Sequence, residues 1–203
     1  MVFALTRAQS SVSRAFSIML AGTMLIGCGI NTIPTLQERA KAAWSEVLNQ
    51  YQRRADLIPN LVETVKGYAA QESKVLTEVT EARAKATQIQ IPPDILTNPE
   101  AFQKFQEAQG QLTGALGRLL AITEKYPDLK SNQNFLALQS QLEDTENRIA
   151  TARRDYIVTV KDYNTEIRTI PGRWWRAILY PHAEPMQNFT VAEETIKVPE
   201  VKF

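Results

Sequence analysis

From Leu36 onward the chain places an apolar residue every three or four positions: Leu36, Ala40, Trp44, Val47, Tyr51, Ala55, Ile58, Val62, Val65, Ala69, Val75, Val79, Ala82 and Ala86. Such spacing draws one buried stripe along a helix. Only at Glu72 does a polar residue hold a place where an apolar one is due. Unbroken, the helix would reach about 75 Å at 1.5 Å per residue. Pro59 argues against a smooth rod, because it removes the bond to the Ala55 carbonyl and pushes Ile58 away from helical angles. The stripe stays in phase across the proline, which predicts a kink there rather than a turn.

Pro92-Pro93 interrupts the pattern between Thr87 and Asn98. Asn98-Pro99-Glu100 then supplies an N-cap, a first-turn proline and an acid near the positive end of a helix dipole. The stripe resumes at Phe102, Phe105, Gln109, Leu112, Leu116, Leu119, Ile122 and Tyr126, and stops at Pro127. A last stripe runs Phe135, Leu138, Leu142, Thr145, Ile149, Ala152, Tyr156, Val160, Tyr163, Ile167 and Ile170, and Pro171-Gly172 ends it. With no strand-rich core in view, these helices must bury their stripes on one another. The pattern predicts an all-α fold, an antiparallel bundle of three to four long helices with coiled-coil-like packing over residues 36–172. Residues 173–203 read as an aromatic and basic docking segment, RWWRAILY, followed by an extended or disordered tail.

Ahead of the bundle, Arg7 and Arg14 precede an apolar block at 15–27, and no acid occurs before residue 28. About 13 apolar residues suit a signal peptide and are too few to span a bilayer. Leu25, Ile26 and Gly27 lead directly into Cys28, the sole cysteine, and this LIGC run resembles the lipobox of bacterial lipoproteins. The resemblance implies cleavage before Cys28, acylation of its sulfur and amine, and residues 28–35 as a tether. Two or more acyl chains hold a protein stably where one does not. Gly29 stands where an aspartate would suggest inner-membrane retention, so the expected location is periplasm-facing, on the outer membrane of a Gram-negative cell.

Removing Arg7 and Arg14 with the leader leaves 21 basic against 22 acidic residues. That balance offers no basic face for nucleic acid. With its thiol lipidated, the mature chain has no internal disulfide, and packing alone holds the fold.

Two segments carry a family resemblance: RRADLIPNLVETVKGYAAQESKVLTEVTEARAKA at 53–86, and YPDLKSNQNFLALQSQLEDTENRIATARRDYIVTVKDYN at 126–164. Both resemble the LemA family, as does NFTV near the tail. The resemblance implies a helical bundle, usually of four helices, and membrane association, with no established biochemical activity. Many family members begin with a transmembrane helix, so the lipobox is a departure.

Candidate chemistry is sparse. Arg53, Arg54, Asp56, Glu146, Arg148, Arg153, Arg154 and Asp155 form dense alternating charges, which on helices mostly make ion pairs that set register. Their functional reading is a docking face for an envelope protein, with Arg153 and Arg154 gripping a carboxylate or phosphate. One histidine, His182, lies outside the bundle, which excludes Glu-x-x-His di-iron sites and triad catalysis; no metal or cofactor is expected. Gly110, Gly114 and Gly117 lie within a helix, so they read as a close-packing surface rather than a phosphate loop. Trp174 and Trp175 suit either a membrane interface or a cap on the bundle end, the cap being favoured because eight residues bury little area in lipid. The expectation is a non-enzymatic lipid-anchored scaffold or adaptor. Its alternatives are an enzyme built on the acid and arginine cluster, or a homo-oligomer assembled on the membrane.

Overall fold

The computed structural model describes residues 29–190. Cys28, with Leu25, Ile26 and Gly27 before it, and the tail beyond Thr190 lie outside the described residues.

Helix α1 (Thr32–Lys66) continues through Pro59 without a turn. A proline inside a helix leaves one carbonyl without its donor, here that of Ala55. The guanidinium Nε of Arg83 donates to that oxygen at 2.8 Å, from a neighbouring helix. The chain reverses instead at Gly67, where the amides of Gly67 and Ala69 close on the carbonyls of Glu63 and Val65. A 3₁₀ turn (Ala70–Glu72) leads into α2 (Ser73–Gln88). The stripe expected to lie along one kinked rod is therefore folded back on itself, and the polar Glu72 marks the reversal. With α1 facing neighbours on both sides, Leu61 and Leu76 are buried, while Val62 and Val75 sit at the edge of the core.

Asn98 caps α3 (Pro99–Thr123), its Oδ1 accepting from the Ala101 amide at 3.1 Å. A single turn, α4 (Pro127–Lys130), seats Leu129 fully in the core, and Asn132 caps α5 (Gln133–Glu166) through the Phe135 amide. α5 stops before the expected end: Ile170, the last position of the stripe, is 63% exposed. A short helix α6 (Gly172–Leu179) and an extended segment to Thr190 complete the described chain.

Long-range pairs fix the topology. Tyr68 meets Asn132 and Arg54 meets Glu146, so numbering falls in α5 as it rises in α1. Likewise Tyr126 meets Glu72 and Arg118 meets Glu78, which makes α2 and α3 antiparallel. Four long helices thus run up, down, up and down, α1 against α5 and α2 against α3, with no strand among the described residues.

The core has two parts. Around Trp44 the rings of Phe105, Tyr156 and Phe102 lie at 5.2, 5.4 and 5.6 Å between centroids, in tilted and edge-on arrangements that aromatic quadrupoles favour. Phe189, from the extended C-terminal segment, joins them at 5.1 Å from Phe102. The other part is chiefly aliphatic, built on Ile58, Leu61, Val65, Leu112, Leu119 and Leu142. Arg54 lies between them along α1.

Candidate functional site

Arg54 is 1% exposed, three residues after Tyr51 and four before Ile58 on the buried face of α1. A buried guanidinium must find both counter-charge and acceptors, and α3 and α5 supply them. Its Nη1 donates to Thr113 Oγ1 at 2.8 Å and to Glu146 Oε1 at 3.0 Å, and its Nη2 to Gln109 Oε1 at 2.6 Å. The cation also stacks at 5.0 Å on the Tyr51 ring. Thr145, fully buried one residue before Glu146, returns its hydroxyl to the Gln141 carbonyl. Gln109 and Thr145 are the polar members of the α3 and α5 stripes, and both belong to this layer between the apolar parts of the core.

Above the layer an open groove of about 700 Å³ runs between α3 and α5. Arg54 and Tyr51 form its floor, Gln103, Gln106 and Glu107 one wall, and Glu146 and Arg153 the other. The extended segment closes one side. Tyr156 donates to the Gln187 carbonyl at 2.7 Å, Asn164 brackets Met186 by bonding both its amide and its carbonyl, and Gln106 donates to the Thr190 carbonyl. Arg153 lies 4.4 Å above the Phe189 ring, where cation–π attraction holds it along the groove. Burial pushes the Tyr51 phenol above its ordinary value, against the pull of the Arg153 and Arg54 charges. The Tyr156 phenol is pushed well above its ordinary value by burial.

The charged residues singled out from the sequence divide between places. Arg54 is interior, so it is removed from any outer docking face; it, Glu146 and Arg153 belong to the groove. Arg53 and Arg148 instead turn to Asp144, at 3.9 and 2.8 Å, on the outer seam of α1 and α5. Asp155 lines that seam, and Asp56 accepts from Gln52. Arg153 and Arg154 are adjacent on α5 and so point about 100° apart; Arg154 is exposed and the two form no pincer. Gly110 and Gly117 have nothing within 4 Å of a would-be Cβ, and Gly114 only the tip of Arg118. The expected close-packing surface is therefore open space. Trp175 is half-buried against the aromatic core, whereas Trp174 is 57% exposed.

Sequence reasoning did not find Thr113, Gln187 or Phe189. For the first the signal was local: Thr113 follows Gln109 by one helical turn. For the segment around Phe189 no periodicity exists to read. Among the described residues no three His, Cys, Asp or Glu side chains converge on a metal position. His182 is exposed beside α6.

Residues 43–203 match the sequence model of the LemA family. Magnetosome protein MamQ 2 of Paramagnetospirillum magneticum is 29% identical, over 84% of this chain and 69% of its own. Magnetosome protein MamQ of Magnetospirillum gryphiswaldense is 28% identical, over 76% and 65%. Protein LemA of Metamycoplasma hominis is 25% identical, over 66% and 57%. Neither the family description nor these names denotes a catalytic activity. The chain belongs to the LemA family.

Proposed function

We propose that this LemA family member is a membrane-anchored lipoprotein of the bacterial cell envelope that acts as a helical scaffold or adaptor. Cys28, acylated after removal of residues 1–27, is the tether, and the bundle faces the periplasm, from the outer membrane in a Gram-negative cell. No helix among the described residues is long and apolar enough to cross a membrane.

The observation that carries the adaptor role is the open groove above the Arg54 layer. Its floor is held in place by four side-chain and backbone acceptors, and its walls carry side-chain amides, Glu107 and Arg153. Amide groups of that kind hydrogen-bond a polypeptide backbone, and a guanidinium favours a carboxylate. The occupant that fits is an extended, acid-bearing segment of an envelope protein. An enzyme built on the same charges would turn a free carboxylate into an enclosed pocket, whereas Glu146 is engaged by Arg54 and the groove is open.

The test is photo-crosslinking in cells from two positions, Gln103 in the groove and Asn147 on the outer seam. The adaptor reading expects one protein captured from Gln103, absent from Asn147, and lost when Arg153→Glu is added. Capture from the seam alone, or capture unchanged by Arg153→Glu, would overturn it. Links solely between copies of this chain would favour assembly on the membrane instead.

A further inference from the structure

Helix α6 carries an apolar face that the bundle does not cover. Trp174 and Ile178, one turn apart, are 57% and 71% exposed, and exposed Ala177 lies beside them on the same face. The opposite side of α6 is engaged: Trp175 and Tyr180 pack on the aromatic core, and Gly172 sits so close to the Glu166 carbonyl that no side chain would fit. This helix is thus fixed to the bundle with its apolar edge outward. An aromatic residue beside aliphatic ones, flanked by arginines, is the composition of a helix lying in a membrane interface. Arg168, Arg173 and Arg176 are the charged residues of 168–180, and all three are cations.

Position identifies the occupant. Gly29, the first described residue, lies against Trp175, so the chain leading back to Cys28 departs beside α6. If Cys28 carries the acyl chains, the lipid attachment is one residue from Gly29, which touches the helix that carries the patch. We propose that α6 rests on the bilayer, with Trp174 and Ile178 in the headgroup and upper acyl region and Arg173 facing anionic lipid phosphates. Eight residues bury too little area to recruit a protein from solution. A tether beside them makes the contact intramolecular, so a weak contact is enough to set orientation. The groove at Arg54 lies 22 residues along α1 from Thr32, about 33 Å from this end at 1.5 Å per residue. An α6 held to the membrane would keep that groove clear of lipid.

This inference rests on the lipid-anchored reading above, and one experiment separates the two. The acylated full chain is purified from cell membranes and reconstituted into vesicles of phosphatidylethanolamine and phosphatidylglycerol, with or without phosphatidylcholine brominated on its acyl chains. Floated vesicles are examined by tryptophan fluorescence. Bromine quenches only indoles in contact with lipid; Trp44, buried in the core, serves as the internal reference. The expected result is partial quenching in the wild type that disappears in Trp174→Phe and persists in Trp175→Phe. Circular dichroism of each variant checks that the bundle is intact. Protein that floats with an unquenched Trp174, whether bare or covered by a second copy, overturns the α6 contact and leaves the anchor standing. Protein that does not float overturns the anchor, and the contact with it.

Discussion

Arg83 donates from its Nε to the Ala55 carbonyl, the one that Pro59 leaves without a helical partner, at 2.8 Å. One side chain from α2 thereby repairs the break that a proline makes in α1, and ties the two helices at that point. A hydrogen bond from a charged donor contributes about 1.5–3 kcal/mol. Arg83→Ala should therefore lower stability by about 2 kcal/mol in urea unfolding. In a Pro59→Ala background, where the Ala55 carbonyl regains a backbone donor, the same substitution should cost less than half as much. Equal costs in both backgrounds would show that Arg83 stabilises α1 in some other way.

The polar layer predicts an asymmetry. Glu146→Ala strands the buried Arg54 charge among neutral acceptors and should cost about 3 kcal/mol. Arg54→Met leaves Glu146, 37% exposed, able to reach water, and strands only the neutral oxygen of buried Gln109; its cost should be the smaller of the two, about 1–2 kcal/mol. Chemical denaturation of the two variants, side by side, checks the order.

Alkaline pH should release the C-terminal segment. Burial raises the Tyr156, Tyr163 and Tyr51 phenols above their unfolded value of about 10. The folded state then holds protons that the unfolded state has lost, so this contribution is complete below about pH 10 and declines as pH climbs through the folded values. The share of phenolate absorbance that belongs to Tyr51, Tyr156 and Tyr163, read as the difference from their Phe variants, should appear together with loss of helix and not before it. Tyr156→Phe removes the bond to the Gln187 carbonyl, costing about 1 kcal/mol at neutral pH, and should flatten the alkaline decline.

Glycines in α3 and at α6 should respond in opposite directions. Gly110→Ala and Gly117→Ala add a methyl to open space inside a helix and should each raise stability by about 0.5–1 kcal/mol. Gly172→Ala drives its Cβ into the Glu166 carbonyl and should loosen the junction of α5 and α6. Thermal unfolding reads both effects, and destabilisation by the α3 substitutions would mean that something packs against those glycines after all.

Much of the bundle was legible because a 3.6-residue period and good caps leave little choice: Asn98 with Pro99, and the stripes from Phe102 to Ile122 and from Phe135 to Ile167, recur in the structure, while Ile170 falls outside. The reversal at Gly67 was obscured because Pro59 offered a stronger local signal, and a tertiary partner, Arg83, cancels it. Phe189 was hidden for a different reason. An extended segment carries no period, and its anchorage through Asn164 and Tyr156 depends on contacts far away in sequence. Arg54 was visible as a charge but not as an interior one, although its place three residues after Tyr51 put it on the buried face. Polar Gln109 and Thr145 on the facing stripes were the complementary sign.

The central claim is the lipid tether, and the most direct measurement is mass spectrometry of the N-terminal peptide from protein extracted from cell membranes, compared with Cys28→Ser. The account predicts a mature chain beginning at Cys28 and bearing acyl chains, with membrane retention lost in the variant. An unmodified thiol at Cys28, or a chain that keeps residues before it and stays in the membrane as Cys28→Ser, would contradict it.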